Sequence, residues 1–495
     1  MAEIVVSKKA CTVNPLKMSA PIGAALAFLG MERSLPLVHG AQGCTAFGLV
    51  LFVRHFRETI PLQTTAMNEV TTILGGYDNI EQALVNIHKR ANPGLIGLVS
   101  TGLTETKGDD VEGFLKDIRA RHPELAGMEV VFVSAPDFTG TFQEGYGKAV
   151  AALARRFARP SRVRRPWQVN ILAGSHLSPG DVEAIRELVE SFGLTPIMLP
   201  DLSGSLDGHI PETFLPHTLG GTPLEGARSL GESAATLAIG EHLREAAEAI
   251  AAQAGVPYQL FDRLTGLAAS DAFVAALARI ADCDPPARVQ RERSQLQDAM
   301  LDGHFHFSGT RIALAAEPDL LTGLAHLFAE LGAEIHAAVA PAPTPGLATL
   351  PCAMVTVGDL EDFEHLATTP SPDAWGDERT AELLVCHSHG RQAAARLGLP
   401  LYRVGLPVFD RLGAAQRVSV LYRGTRQVIF DVANLILEAR EHDAHDPSAT
   451  AHSTPAATAA RPGRAAAVPG GALPGGSATG QGPTGAPAAA VVAGA

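Results

Sequence analysis

Short apolar runs alternate with amphipathic stretches along most of this chain, and that alternation carries the structural reading. Residues 95–101 (LIGLVST), 129–135 (EVVFVSA), 168–173 (QVNILA) and 194–199 (LTPIML) are short, rich in branched side chains and flanked by Gly, Ser or Pro. Each reads as a strand buried on both faces, and such strands belong to parallel sheets covered by helices. Between them, 109–121 begins with acids and ends with bases, matching the helix dipole, and 142–157 and 181–192 have helical spacing. Residues 49–58 also read as helix, as does the alanine-rich stretch 224–254, with 258–260 as a strand after it.

The pattern resumes with a charged helix over 288–301 and strands at 310–316, 334–339, 353–357, 382–386 and 401–405. A helix over 319–331 lies among them, and one over 414–439 closes the series. This predicts an α/β protein of three Rossmann-like, doubly wound parallel-sheet domains, whose ligands belong at the carboxyl ends of the strands. The expected divisions are 1–160, 161–285, 286–440 and a tail, 441–495. The tail is Ala, Pro, Gly, Ser and Thr with little to bury, so it is expected to be disordered.

Composition narrows the function. With 39 basic and 52 acidic residues the formal charge is −13, which argues against a nucleic-acid surface. The basic run from Arg155 to Arg165 reads as a solvated face or linker. Lys8, Lys9 and Lys17 precede an apolar run, 18–31, that imitates a signal peptide but is too short to span a membrane. It reads as a buried segment capped by Ser19, and the chain as cytoplasmic with no membrane association.

The five cysteines, at 11, 44, 283, 352 and 386, are dispersed and contain no Cys-x-x-Cys pair. They form neither a disulfide framework nor a self-contained metal motif. Nucleotide loops of the Gly-x-Gly-x-x-Gly and Walker types are absent, and so is a Gly-x-Ser-x-Gly elbow. Cys44 stands apart, set in HGAQGCTAFG, which reads as a loop and in which Gly43 leaves the sulfur approachable. One thiolate cannot hold an iron–sulfur cluster, which takes about four. Cys386-His387-Ser388-His389 has metal-like spacing but reads better as a strand end turning into a helix. His304-Phe305-His306 reads as an exposed strand or loop, and Cys11, Cys283 and Cys352 as plain thiols.

Several motifs together resemble the nitrogenase component-one family: Asn14-Pro15-Leu16-Lys17, Pro21-Ile22-Gly23-Ala24-Ala25, Gly43-Cys44 and Arg54-His55-Phe56-Arg57-Glu58. Gly75-Gly76, Gly108-Asp109-Asp110 and Pro407-Val408-Phe409-Asp410-Arg411 extend the resemblance over residues 1–440. The catalytic β-subunit of that family holds an eight-iron cluster with three cysteines. Here the first falls on Cys44, the second on Leu62 and the third on Gly102, with Thr141 a loose counterpart of a nearby serine.

The pattern is similar to the family's scaffold branch, on which the iron–molybdenum cofactor is built. The resemblance implies that Cys44 is the cofactor-binding and metal residue of this chain. It would hold a [4Fe–4S] cluster shared with a homologous NifE-type subunit in an α2β2 heterotetramer, and the iron–molybdenum cofactor precursor would sit mainly in that partner. The implied partners also include the nitrogenase iron protein as reductant and metal donor, a precursor-cluster donor and a cofactor acceptor. The alternative is an electron-transfer reductase subunit of the same superfamily, either nitrogenase β-subunit or dark-operative protochlorophyllide reductase.

Overall fold

Strands of the expected kind assemble into three parallel sheets in a computed structural model, which describes residues 1–445 except 10, 14 and 373–375. The expected disorder of the tail therefore concerns residues almost wholly outside those described, and the closing helix, Leu421–His445, runs past position 440. The first sheet orders its strands Gln63–Thr64, Ser34–Val38, Leu95–Val99, Glu129–Val133. In the second the order is Thr195–Leu199, Arg165–Leu172, Ser233–Ile239, Tyr258–Phe261. The third has six strands, and its edge is Glu3–Val6, paired in parallel with Met354–Val357.

The apolar run near the N-terminus forms the helix Ala20–Leu29, every residue of which is buried. Ser19 occupies its N-cap position, but the hydroxyl makes no capping bond and donates instead to Asp137 Oδ1 at 2.9 Å. The helix lies against Phe142–Phe157 at backbone distance. A Cβ at Gly23 would sit 1.9 Å from the carbonyl oxygen of Phe142, and one at Gly145 would sit 1.9 Å from that of Ala20. Gly97, in the middle of the strand Leu95–Val99, admits the ring of Phe28 in the same way. Burying a phenylalanine or leucine of this kind stabilises by about 1.5–3 kcal/mol. The helix thus anchors the first sheet, and one continuous core runs from it into the second.

Three expectations fail. The stretch 224–254 is not one helix or a helix pair: it holds a short helix, Leu224–Arg228, the strand Ser233–Ile239, and the helix Arg244–Ala254. Thr236, Leu237 and Ile239 give this segment its strand character, and its alanines fit a buried strand as readily as a helix, so they do not distinguish the two. His304-Phe305-His306 is not extended but closes the helix Ala287–Phe307. The Cys44 segment is likewise not a loop, since the helix Gln42–Phe56 starts two residues before the cysteine. Three arginines of the basic run are ion-paired on a solvated face: Arg155 with Glu245, Arg156 with Glu129, and Arg165 with Glu232 at 2.7 Å. No helix among the described residues is long and apolar enough to cross a membrane.

Candidate metal centre

The strand Ser34–Val38 ends in His39-Gly40-Ala41, and the helix Gln42–Phe56 begins directly after it. Cys44 is therefore in the first turn of a helix, at the carboxyl end of the first sheet. Leu62 precedes the strand Gln63–Thr64, and Gly102 opens the helix Gly102–Lys107 after the strand Leu95–Val99. Val38 pairs with both Thr64 and Val99, so Cys44 and Gly102 follow the carboxyl end of one sheet, while Leu62 sits at the amino end of the short strand Gln63–Thr64, one residue before the pair Leu37–Gln63.

Their surroundings differ. Cys44 is exposed. Gly43 has no atom within 4 Å of the place a Cβ would take, so the approach to the sulfur is open. Leu62 is buried in the core and reaches toward Gly48 of the cysteine's own helix. At Gly102 a Cβ would lie 3.3 Å from the ring of Phe138, so only a small side chain fits without moving that ring. Thr141 is buried at the N-cap of Phe142–Phe157, and its hydroxyl donates to Glu317 Oε2 at 2.8 Å.

A helix N-terminus favours a thiolate. Although the residue is exposed, partial desolvation of its sulfur outweighs this, and with the negative charge of Asp137 it pushes the Cys44 thiol upward. A cation at the sulfur would oppose that shift, because a bound metal favours the thiolate. Asp137 is a site residue that sequence reasoning missed, since nothing marks an aspartate 93 positions downstream as a neighbour.

Behind the cysteine, the motif residues converge on His39. Its carbonyl accepts from Thr101 Oγ1 at 3.0 Å and Thr104 Oγ1 at 3.3 Å, and its Nδ1 meets Thr65 Oγ1 at 2.9 Å. Asp109 accepts from the Gly76 amide at 3.2 Å and from Lys107 at 3.1 Å, and lies 3.6 Å from His39 Nε2. Burial pushes the His39 imidazole below its ordinary range. A side chain at Gly76 would strike that ring at 2.4 Å, which accounts for a glycine there.

The two remaining motifs also clasp each other. His55 Nδ1 accepts from the Val408 amide at 3.0 Å, and Arg57 donates to the carbonyl of Phe409 at 2.8 Å. Arg54 and Arg391 stack over the Phe409 ring at 4.1 and 4.8 Å. Burial lowers His55 to about 4.

The Cys44 face is apolar. Phe47 (77% exposed), Ile73 (77%) and Leu74 (80%) stand on the helices Gln42–Phe56 and Glu69–Leu74, and Phe138 is exposed beside Gly102. Large apolar side chains exposed together in this way exceed the scattered single ones of an ordinary surface.

Cys386 is buried, and burial pushes its thiol up to about 12. The residues after it turn through Ser388–Gly390 into the helix Arg391–Leu397, with Ser388 bonded to Asp410. His304 Nδ1 is spent on the carbonyl of Leu331 at 3.2 Å. Cys11 and Cys283 are exposed and Cys352 half-buried, all three free thiols.

Comparison with known proteins agrees with this architecture. Residues 19–437 match the family described as nitrogenase component 1 type oxidoreductase. A solved structure titled "Nitrogenase Cp1 at pH 6.5" superposes with a TM-score of 0.82 at 28% identity, covering 89% of this chain and 96% of that one. The chain belongs to the nitrogenase component 1 family. Within it, the chain is similar to the nitrogenase iron-molybdenum cofactor biosynthesis protein NifN of Bradyrhizobium diazoefficiens, 51% identical over 90% of this chain and 93% of that protein. It is 41% identical to the NifN of Klebsiella pneumoniae, over 90% of this chain and 95% of that protein.

Proposed function

We propose that this chain is one subunit of a scaffold on which the nitrogenase iron–molybdenum cofactor precursor is matured before transfer to the catalytic protein. The observation that carries the reading is the lone Cys44 on an exposed apolar face, with Leu62 and Gly102 at the two companion positions. One open thiol in that setting fits one quarter of a [4Fe–4S] ligand set, and it does not fit an eight-iron cluster that draws three cysteines from this side.

Cys44 would hold the cluster together with a NifE-type partner in an α2β2 heterotetramer, and that partner would hold most of the precursor. When bound, the cluster supplies one-electron transfer between the iron-protein reductase and the maturing precursor. This chain's own residues present the thiol, and its exposed aromatic and aliphatic side chains exclude water once the partner covers them. The chain is a scaffold and electron-relay subunit rather than an enzyme by itself, acting in the cytoplasm with a precursor donor and a cofactor acceptor as further partners.

Anaerobic co-expression with the candidate partner, followed by iron counting and spectroscopy, tests this. About four interfacial irons per pair, lost in Cys44→Ala, is the expected result. Eight interfacial irons would indicate the catalytic architecture instead, and none would overturn both readings.

A further inference from the structure

A second group of ligand-type side chains lies away from Cys44, where the carboxyl ends of the second and third sheets face each other. His176 follows the strand Arg165–Leu172, and His242 follows Ser233–Ile239. Asp319 lies in the first turn of the helix Pro318–Glu330, directly behind Arg311–Ala315. One ligand atom from each of the three falls within 4.8 Å of the other two. Donors about 2.1 Å from a shared ion stand roughly 3–4 Å apart, so a small movement closes this set.

The hydrogen bonding leaves that group incomplete. His242 Nε2 accepts from the Ser175 amide at 3.1 Å, which places the ring proton on Nδ1, facing Asp319 Oδ2 at 2.6 Å. His176 Nδ1 is buried with no hydrogen-bond partner among the described residues. A cavity of about 30 Å³ adjoins it, lined in part by Ser175, His176, Glu317 and His387. Glu317 Oε1 and His387 Nε2 are also buried without partners. An ordinary His242–Asp319 bond between two sheets explains that pair but leaves His176 Nδ1 without a purpose. Buried polar atoms without partners destabilise, and three around one small cavity point to an occupant.

We propose that His176, His242 and Asp319 bind one divalent first-row transition-metal ion, with water from the adjoining cavity completing its shell. Two imidazoles and one carboxylate suit zinc, iron or cobalt rather than calcium or magnesium, which favour all-oxygen sites. The ion replaces the proton between His242 and Asp319. That proton passes to His242 Nε2, which releases the Ser175 amide, so the two hydrogen bonds lost are exchanged for three metal–ligand bonds, one each from His176, His242 and Asp319. Because the ligands come from two sheets, an ion here also stabilises their packing.

The test uses the full chain carrying Cys44→Ala, so that no cluster iron contributes, stripped with chelator and titrated with Co²⁺. One Co²⁺ per chain, with visible ligand-field absorption, displacement by Zn²⁺ and a raised melting midpoint, is expected. His176→Gln leaves the His242–Asp319 bond in place and should weaken Co²⁺ binding at least tenfold, with its metal-free melting unchanged. His176→Asn carries the same expectation should the glutamine variant not fold. Absence of stoichiometric Co²⁺ uptake, or uptake equal in parent and His176 variants, overturns the proposal.

Discussion

Cys44 is drawn in two directions, by the helix terminus that favours its anion and by burial and Asp137 that oppose it. Asp137→Asn removes the repulsion, so Cys44 in the partner-free chain should alkylate faster at neutral pH, read by mass spectrometry of its peptide. An equal or slower rate would mean that Asp137 does not act on the sulfur. His55 gives a second residue-scale expectation. Its folded value, about 4, lies below the unfolded 6.5, so the unfolded chain binds more protons between those values. Stability from this group is full above pH 6.5 and is lost as pH falls toward 4, by up to about 3 kcal/mol. His55→Gln keeps an acceptor for the Val408 amide and should flatten that part of the pH profile in chemical denaturation. Cys44 was legible in the sequence because thiol chemistry names its own candidates. Asp137 and the His39 contacts were not, because they depend on which strand ends the fold brings together.

The pairing of Ala20–Leu29 with Phe142–Phe157 rests on two glycines facing each other's helix backbones. Gly23→Ala puts a methyl where a carbonyl oxygen stands, and it should destabilise by about 2–3 kcal/mol, measured as a lowered denaturation midpoint. An unchanged midpoint would mean that the helices can separate without loss. Most elements were legible because helix and strand periods differ and because Ser, Asp and Gly punctuate them; Ser178 caps Pro179–Ser191 by accepting from the Asp181 amide at 2.9 Å, as Ser-Pro suggests. Ser233–Ile239 was misread for a physical reason. Alanine carries little periodic signal, and the pairing of this segment with Arg165–Leu172 and Tyr258–Phe261 is visible only in the fold. The helix at Cys44 was hidden similarly, since Gln-Gly-Cys-Thr offers no cap and no acidic first turn.

Over the molecule as a whole, the first sheet displays at its carboxyl end both the lone thiol and the exposed apolar side chains. Phe47→Glu alters a side chain that contributes almost nothing to the isolated fold. It should leave the melting of the chain unchanged and weaken association with the partner at least tenfold, about 1.4 kcal/mol, in a sedimentation or chromatographic assay. Tight association by the variant would place the partner on another face. The family motifs made the three-sheet architecture and the ligand shortfall legible from the sequence alone. The His176–His242–Asp319 group was not, because its members are 66 and 77 positions apart and none stands in a recognisable spacing.

The edge strand Glu3–Val6 has a consequence for how the protein is made. Its neighbour, Met354–Val357, is about 350 residues further along the chain. At translation rates of about 5–20 residues per second, that neighbour emerges tens of seconds later. The strand Glu3–Val6 therefore waits for most of the chain to be made before its neighbour in the third sheet exists, and the interval is one in which a nascent-chain binder has access to it. Ribosome-bound chains halted before position 354 should lose an N-terminal epitope tag to limited proteolysis, and chains halted well beyond it should retain the tag.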